Sequence, residues 1–507
     1  MTLNLADLFF QQADANPDHP VILGEDTCIT YGDLHRNIRH LTERLQTAGV
    51  VKGMNIGLHV PSGTDYIAMT YALWACGVSV TPIPAELADE EKRGILKHIS
   101  IDQVISPAGT GGVFQPFVIS ETTRLTDQAT LYPVTPQCDP PAALAGLNPA
   151  FIRFTSGTTG KAKGVVLSHE TISERIHAAN QGLCIGPEDR IVWLLSMAYH
   201  FAVSIVAYLS FGATMIFPKN AFGVSILEAA NHHDATMIYG APPHYELMTH
   251  DRSGLTLPRL RLAIATTTRL KPELADTFFR RFGLPLNETY GIIEIGLPAM
   301  NLHQPREKQG SVGRPLAAYD IRLKTHPDKD RDQDQDQGQD QDQDQGQAAG
   351  EIQLNGPGLL DAYYTPWQPR ADILAQNNGW LATGDLGVMD EDGFLTIVGR
   401  SKEMISVAGM KFFPQEVEAI LERHPAIRSA CVFGISAHRT GEAAMAHLVG
   451  ADDEPHPTET ELKAYCNRHL AGYKIPVDFQ WVSAITRTAS GKRIRNADTL
   501  KPITPSP

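Results

Sequence analysis

Cysteine is scarce. The chain has six in 507 residues (Cys28, Cys76, Cys138, Cys184, Cys431 and Cys466), scattered and without a CxxC pair. That excludes a disulfide framework and a zinc site of the usual spacing, and it points to reduced thiols in a cytoplasmic protein. Surplus positive charge is also missing: the formal net charge is −14, which argues against a nucleic-acid binder working through bulk charge. The N-terminal MTLNLADLFFQQADANP has no basic n-region and no long apolar run, so no secretory signal is expected. One stretch, Ile191 to Pro218, lacks Asp, Glu, Lys and Arg altogether. Its length would suit a membrane span. Ser196, His200, Ser204, Ser210 and Thr214 interrupt it, however, and no polybasic flank orients it, so a buried strand and helix is expected instead.

What is present reads as a globular protein, with 42% hydrophobic and 20% charged residues. At 507 residues a single ordinary core is exceeded, and a large domain with a smaller appended one is expected. In TYGDLHRNIRHLTERLQTAGV, Leu34, Ile38, Leu41, Leu45 and Ala48 fall at helical spacing, and GMNIGLHV then enters a strand. Such units recur to about residue 300, as in DATMIYGAPP and LRLAIATTT, predicting an α/β architecture with mainly parallel sheets.

The octapeptide DQDQDQGQ occurs twice in tandem, Asp332–Gln339 and Asp340–Gln347. A calcium loop would need glycine at its sixth position and an acid at its twelfth, where Gln337 and Gln343 stand. The composition suits a solvated, disordered loop over 326–349. Beyond GRSKEMI (Gly399–Ile405) the charge character changes: residues 402–507 carry thirteen Lys/Arg against twelve Asp/Glu. A second domain is expected from there, with PQEVEAILERH and ELKAYCNRHL as helices and RSACVFGIS and AAMAHLVG as strands.

FTSGTTGKAKGVVLSH, Phe154 to His169, has too little side-chain bulk to pack a core. It offers backbone amides, hydroxyls and the positive charge of Lys161 and Lys163, which suit a polyphosphate. It is not GxxxxGK[ST], since Gly157 to Gly160 is two residues short and Ala162 follows Lys161. It closely resembles the phosphate loop of the adenylate-forming superfamily of acyl-CoA synthetases, adenylation domains and luciferases. The other signatures follow in that family's order: TYGIIE (Thr289–Glu294), GWLATGD (Gly379–Asp385), GFLTIVGRSKEMI and ITRTASGKRIR (Ile485–Arg495). The resemblance covers essentially the whole chain. It implies a large N-terminal domain (1–398) of α/β subdomains, a hinge (399–402) and a small mobile α+β lid (403–507).

The resemblance also implies a reaction. A carboxylate attacks the α-phosphate of ATP, pyrophosphate leaves, and the acyl-adenylate then passes its acyl group to a thiol of coenzyme A or of a carrier protein's phosphopantetheine. The obstacle in the first step is like charge: two anions about 4 Å apart repel by roughly 4 kcal/mol at an effective dielectric near 20. By the family pattern Lys492 would bridge the two anions, and Glu294 would hold Mg²⁺. Thr155, Ser156, Gly157, Thr158, Thr159, Gly160 and Lys163 would hold the β- and γ-phosphates. Tyr290, beside Thr289, would stack on adenine, Asp385 would accept the ribose hydroxyls, and Arg400 would contact ribose or phosphate. Lys402 would be the hinge.

The pattern is broken in places. Ile293 stands where the family has threonine before the magnesium glutamate, which Thr289 would only partly replace, and Ala162 stands where it has a loop proline. TTTRL (Thr266–Leu270) replaces a glycine-rich stretch, so Thr266 and Thr267 add bulk and hydroxyls to the acid pocket. Tyr199, His200, Phe201, Val203 and Ser204 would line the rest. Trp193–Ala213 holds no acid to pair an α-ammonium, which disfavours an α-amino acid and leaves an aryl, short- or medium-chain acid. Arg269 and Lys219 read as surface cations, with recognition of a second carboxylate as the alternative. The Lys492–Arg495 cluster reads as suiting either an acidic carrier or the phosphates of coenzyme A. Carrier loading with a β-amino or dicarboxylic acid in natural-product biosynthesis is one alternative. A non-catalytic nucleotide sensor on the same fold is another.

Overall fold

Thr30 and Asp33 cap the helix Tyr31–Thr47 reciprocally, each side chain accepting the other's backbone N–H. Leu34, Ile38, Leu41 and Leu45 are its buried stripe, as their spacing requires, while Ala48 lies past its end as the C-cap. The computed structural model describes residues 2–119, 122–155, 163–325, 349–407, 410–437, 440–451, 454–487 and 493–495. Two compact units form: Met1–Asp320 with Leu354–Leu381, and Ile321–Gln353 with Ala382–Pro507.

The first unit holds two nine-stranded sheets. In one, strands Asn287–Ile292, Leu262–Ala265, Met237–Gly240, Arg190–Trp193, Thr214–Ile216 and Pro20–Leu23 run parallel side by side, and antiparallel strands close both edges. In the other, Ser79–Pro82, Asn55–Leu58 and Gln103–Pro107 run parallel, with the antiparallel hairpin Pro149–Thr155/Lys163–Ser168 beside them. Short apolar strands of this kind are buried on both faces, which is why they read as continuous runs rather than alternations.

The uncharged stretch Ile191–Pro218 resolves into short pieces. They are the buried strand ending at Trp193, the helix Met197–His200, a π-helical turn Phe201–Ile205, the helix Val206–Ser210 and the strand Thr214–Ile216. Among the described residues no helix is long and apolar enough to cross a membrane.

The second unit carries a four-stranded sheet made of Asp320–Lys324, Gly350–Asn355, Leu381–Met389 and Leu395–Arg400. The Asp/Gln tract lies between the first two of these strands, and residues 326–348 of it are outside the described residues. A five-stranded sheet follows, built on the long antiparallel pair Ile427–Ala437/Gly441–Gly450. The helices Pro414–Leu421 and Glu459–Asn467 bury Val417, Leu421, Leu462 and Cys466 in the same core as that pair.

Candidate active site

Four neighbouring parallel strands in the first unit end at the same edge of their sheet, delivering Trp193, Tyr239, Thr266 and Tyr290. The carboxyl edge of such a sheet is where α/β proteins bind ligands. Trp193 and Tyr239 are register partners whose rings stack 5.4 Å apart at 8°. The His200 ring stands edge-on to both, at 6.0 and 6.2 Å. Burial pushes the Tyr239 and Tyr208 phenols up, partly offset by the nearby Ser204 hydroxyl and, for Tyr239, that of Thr266. Tyr199 and His200, on the helix Met197–His200, and Val203, on the π-helical turn, are half-exposed, whereas Ser204 is buried. An extra residue per turn at this point re-aims side chains, a common use of π-helical turns.

Phe201 departs from the expected pocket set. It is fully buried among Tyr66, Tyr71, Trp74 and Phe151, a cluster of core rings, because its position on the turn faces the sheet beneath. Arg153 donates to the Tyr199 carbonyl at 2.7 Å with its guanidinium 5.1 Å from the Tyr199 ring. Arg269 is exposed, and Lys219 pairs with Glu25 on the surface at 3.0 Å.

Thr155 and Lys163 face each other across the hairpin that flanks residues 156–162. Ser156, Gly157, Thr158, Thr159 and Gly160 lie outside the described residues, as does the Thr155 side chain. The Lys163 ammonium sits 4.1 Å from the centre of the Tyr363 ring. Tyr363 belongs to a short strand paired with the Lys163 strand, and its hydroxyl donates to Glu294 Oε1 at 3.3 Å. Burial and the adjacent Glu294 charge push the Tyr363 phenol far up, so it stays a neutral donor. Glu294 is half-buried, and its backbone carbonyl accepts from Leu360 N at 2.6 Å. Among the described residues no protein donor reaches Oε2, and no group of three or more His, Cys, Asp or Glu gathers. One carboxylate with a free oxygen suits Mg²⁺, which keeps waters and substrate phosphates as its other ligands.

Tyr290 is buried on the strand Asn287–Ile292. Among the described residues the buried Thr289 hydroxyl has no hydrogen-bond partner. Glu288, missed in the sequence, is buried and accepts the Gly310 N–H at 2.8 Å. Burial is the leading cause of its pKa, raised to about 7 against partial relief from the Gly310 and Leu270 N–H groups and from Arg269. A carboxyl whose folded pKa is raised contributes stability at low pH that is lost as pH rises to the folded value. The wild type is therefore expected to lose up to roughly 3 kcal/mol between about pH 4.5 and 7 relative to Glu288→Gln. Parallel denaturant titrations at several pH values check this, and equal slopes for the two proteins would refute it.

In the second unit, Asp385 and Arg400 are register partners on adjacent strands and pair at 2.9 Å, with Asp385 almost fully buried. Lys402 is exposed on the short turn Ser401–Glu403. Lys492 lies outside the described residues. Its neighbours correct one expectation: Arg493 and Arg495 are not a surface cluster for an acidic carrier or coenzyme A phosphates. Arg493 bonds to Glu418 and Glu422, both at 2.6 Å. Arg495 bonds to Glu403 at 2.8 Å and Glu418 at 3.1 Å. Helix Pro414–Leu421 presents Glu418 inward, where burial makes it hold whichever cations the chain supplies.

A half-buried carboxylate with one uncommitted oxygen and a lysine-bearing hairpin, beside an aromatic strand edge, would suit a nucleotide-dependent acid-activating enzyme. The sequence profile of the AMP-binding enzyme family matches residues 9–364, and that of the AMP-binding enzyme C-terminal domain matches residues 416–492. The chain belongs to this family. It is 27% identical to a sulfoacetate–CoA ligase of Cupriavidus necator and 25% identical to a 2-succinylbenzoate–CoA ligase of Bacillus subtilis, over 96% of each chain in both cases. Its fold matches that of the O-succinylbenzoate coenzyme A synthetase of Bacillus subtilis in complex with AMP, with a TM-score of 0.80, 24% identity and 98% of each chain covered. The protein is an ATP-dependent, AMP-forming acid–thiol ligase that acts on a small-molecule carboxylic acid and uses Mg²⁺.

Proposed function

We propose that this ligase activates a short-chain or aryl carboxylic acid in the cytoplasm and transfers it to coenzyme A. The observation that supports the size class is the Trp193–Tyr239 stack at the strand edge, with the His200 ring edge-on to both. Ring faces of this kind suit an aryl or short acyl group. Coenzyme A is favoured over a carrier because the similar proteins are CoA ligases.

In this reading the acid lies against Tyr199, His200 and Val203, and the phosphate loop with Lys163 holds the β- and γ-phosphates. Glu294 binds the magnesium that neutralises phosphate charge. Asp385 orients the ribose, with Arg400 fixing the carboxylate. Lys492 neutralises the carboxylate and the α-phosphate as they meet, and the C-terminal domain then turns about Lys402 to admit the thiol, a hinge device of familiar type. ATP–pyrophosphate exchange across a panel of acids, followed by mass detection of the coenzyme A thioester, tests the reading. Exchange with benzoates or C3–C6 acids and none with palmitate supports it. Binding of ATP without exchange for any acid would favour the nucleotide sensor.

Thr267 supplies a second test. It sits at φ +75°, a left-handed conformation that a β-branched side chain adopts only under strain. Thr267→Gly is expected to keep or raise stability by up to about 1 kcal/mol, the relief of strain outweighing the added chain entropy. It is also expected to extend the accepted acids toward bulkier ones. A lowered melting temperature together with an unchanged acid panel would oppose both points.

A further inference from the structure

Arg175 lies on the helix His169–Leu183 that follows the phosphate hairpin, and it is 1% exposed. Among the described residues its guanidinium has no ion-pair partner. Its bonds go to two backbone carbonyls, Ile293 at 3.0 Å and Gly358 at 2.5 Å, and its Nε has none. A buried cation without a paired carboxylate is costly, and an apolar side chain of similar volume would pack more cheaply. The two carbonyls it holds are informative. Ile293 immediately precedes Glu294, and Gly358 opens the segment that returns Leu360 N–H to the Glu294 carbonyl and Tyr363 Oη to its carboxylate. The segment is built to admit the arginine: Gly358 has φ +70°, and a Cβ there would lie 2.5 Å from Arg175 Cβ. The next residue on the helix side, Glu174, accepts Gly358 N–H at 3.0 Å. Glu294 is thus held at three points, through the preceding carbonyl, its own carbonyl and one carboxylate oxygen. The other carboxylate oxygen is left for the metal.

We propose that Arg175 and Tyr363 are positioning residues that fix the Glu294 carboxylate for divalent-metal binding, Arg175 through the Ile293 carbonyl and Tyr363 directly. This rests on the reading of Glu294 as the metal ligand. The aliphatic Ile293 contributes only its backbone, so orientation of the loop falls to Arg175, and the Tyr363 ring also carries Lys163 at 4.1 Å. One phenol therefore sets the phosphate-loop lysine and the metal glutamate at a fixed spacing.

The test measures Mn²⁺ binding by electron paramagnetic resonance in the presence of α,β-methylene-ATP, on the full chain, without turnover. Arg175→Met is expected to raise the half-saturating Mn²⁺ concentration at least tenfold and Tyr363→Phe three- to fivefold. Arg175→Lys is expected to recover part of the loss, since an ammonium still donates to both carbonyls. The number of Mn²⁺ sites per chain should stay near wild type while the half-saturating concentration rises, whereas a general loss of folding would lower the number of sites and leave that concentration unchanged. Should Arg175→Met fail to fold, Tyr363→Phe, lacking only a hydroxyl, carries the test. Unchanged Mn²⁺ affinity in Tyr363→Phe and in whichever Arg175 variant folds overturns the proposal. Glu294→Gln separates the two levels: if it too binds Mn²⁺ normally, the metal role of Glu294 falls. If it alone loses binding, only the positioning roles fall.

Discussion

Replacing Lys492 with alanine is expected to lower acid-dependent ATP–pyrophosphate exchange by about a thousandfold. The estimate follows from the roughly 4 kcal/mol of anion–anion repulsion that a bridging cation would offset, at about tenfold in rate per 1.4 kcal/mol. Thioester formation from supplied acyl-adenylate should change by no more than a few-fold, because the carboxylate no longer carries its charge at that stage. The two half-reactions are read separately, one by labelled pyrophosphate and the other by mass of the coenzyme A thioester. Exchange within tenfold of wild type would remove Lys492 from the chemistry. Equal loss in both half-reactions would indicate a damaged fold rather than a missing charge.

Glu418→Ala is the second large effect. Glu418 is 3% exposed and accepts from Arg493, Arg495 and the Val432 N–H at 2.9 Å. Its removal leaves two guanidiniums half-paired in a closed site and a backbone donor unmatched. Breaking a buried pair in this way costs about 3–5 kcal/mol. For a unit of this size that lowers the melting temperature on the order of 10 °C. Differential scanning calorimetry is expected to show the C-terminal unit unfolding in a separate, earlier transition. A single transition within 2–3 °C of wild type would mean that Arg493 and Arg495 find other acids, Glu403 and Glu422 being nearest. Because both arginines follow Lys492 directly in the chain, the same substitution is expected to depress pyrophosphate exchange below the loss explained by the unfolded fraction.

Local order was legible in the sequence. The Thr30–Asp33 cap, the stripe Leu34–Ile38–Leu41–Leu45 and the strands around Tyr239 and Ala265 follow from spacing within a few residues. The motifs were legible because each is contiguous. What stayed hidden depends on partners far apart in the chain. Arg175 reads as an ordinary helical arginine until the fold brings Ile293 and Gly358 to it. Tyr363 lies 69 residues from Glu294. Arg493 and Arg495 look like a basic patch because their glutamates stand more than seventy positions upstream. Phe201 was assigned to the pocket by adjacency, and one residue of π-helical offset turned it into the core. The strain at Thr267 had a partial signal, a β-branched residue where glycines are expected, but its sign of φ comes only from the backbone.

The Asp/Gln tract joins two strands that are immediate neighbours in the four-stranded sheet, Asp320–Lys324 and Gly350–Asn355. Closing such a connector costs only about 0.6 kcal/mol more for each doubling of its length. Gain or loss of an octapeptide copy therefore perturbs folding by a fraction of a kcal/mol, within what a domain of this kind tolerates. A chain lacking one octapeptide copy, or carrying a tag in its place, is expected to keep nearly wild-type stability.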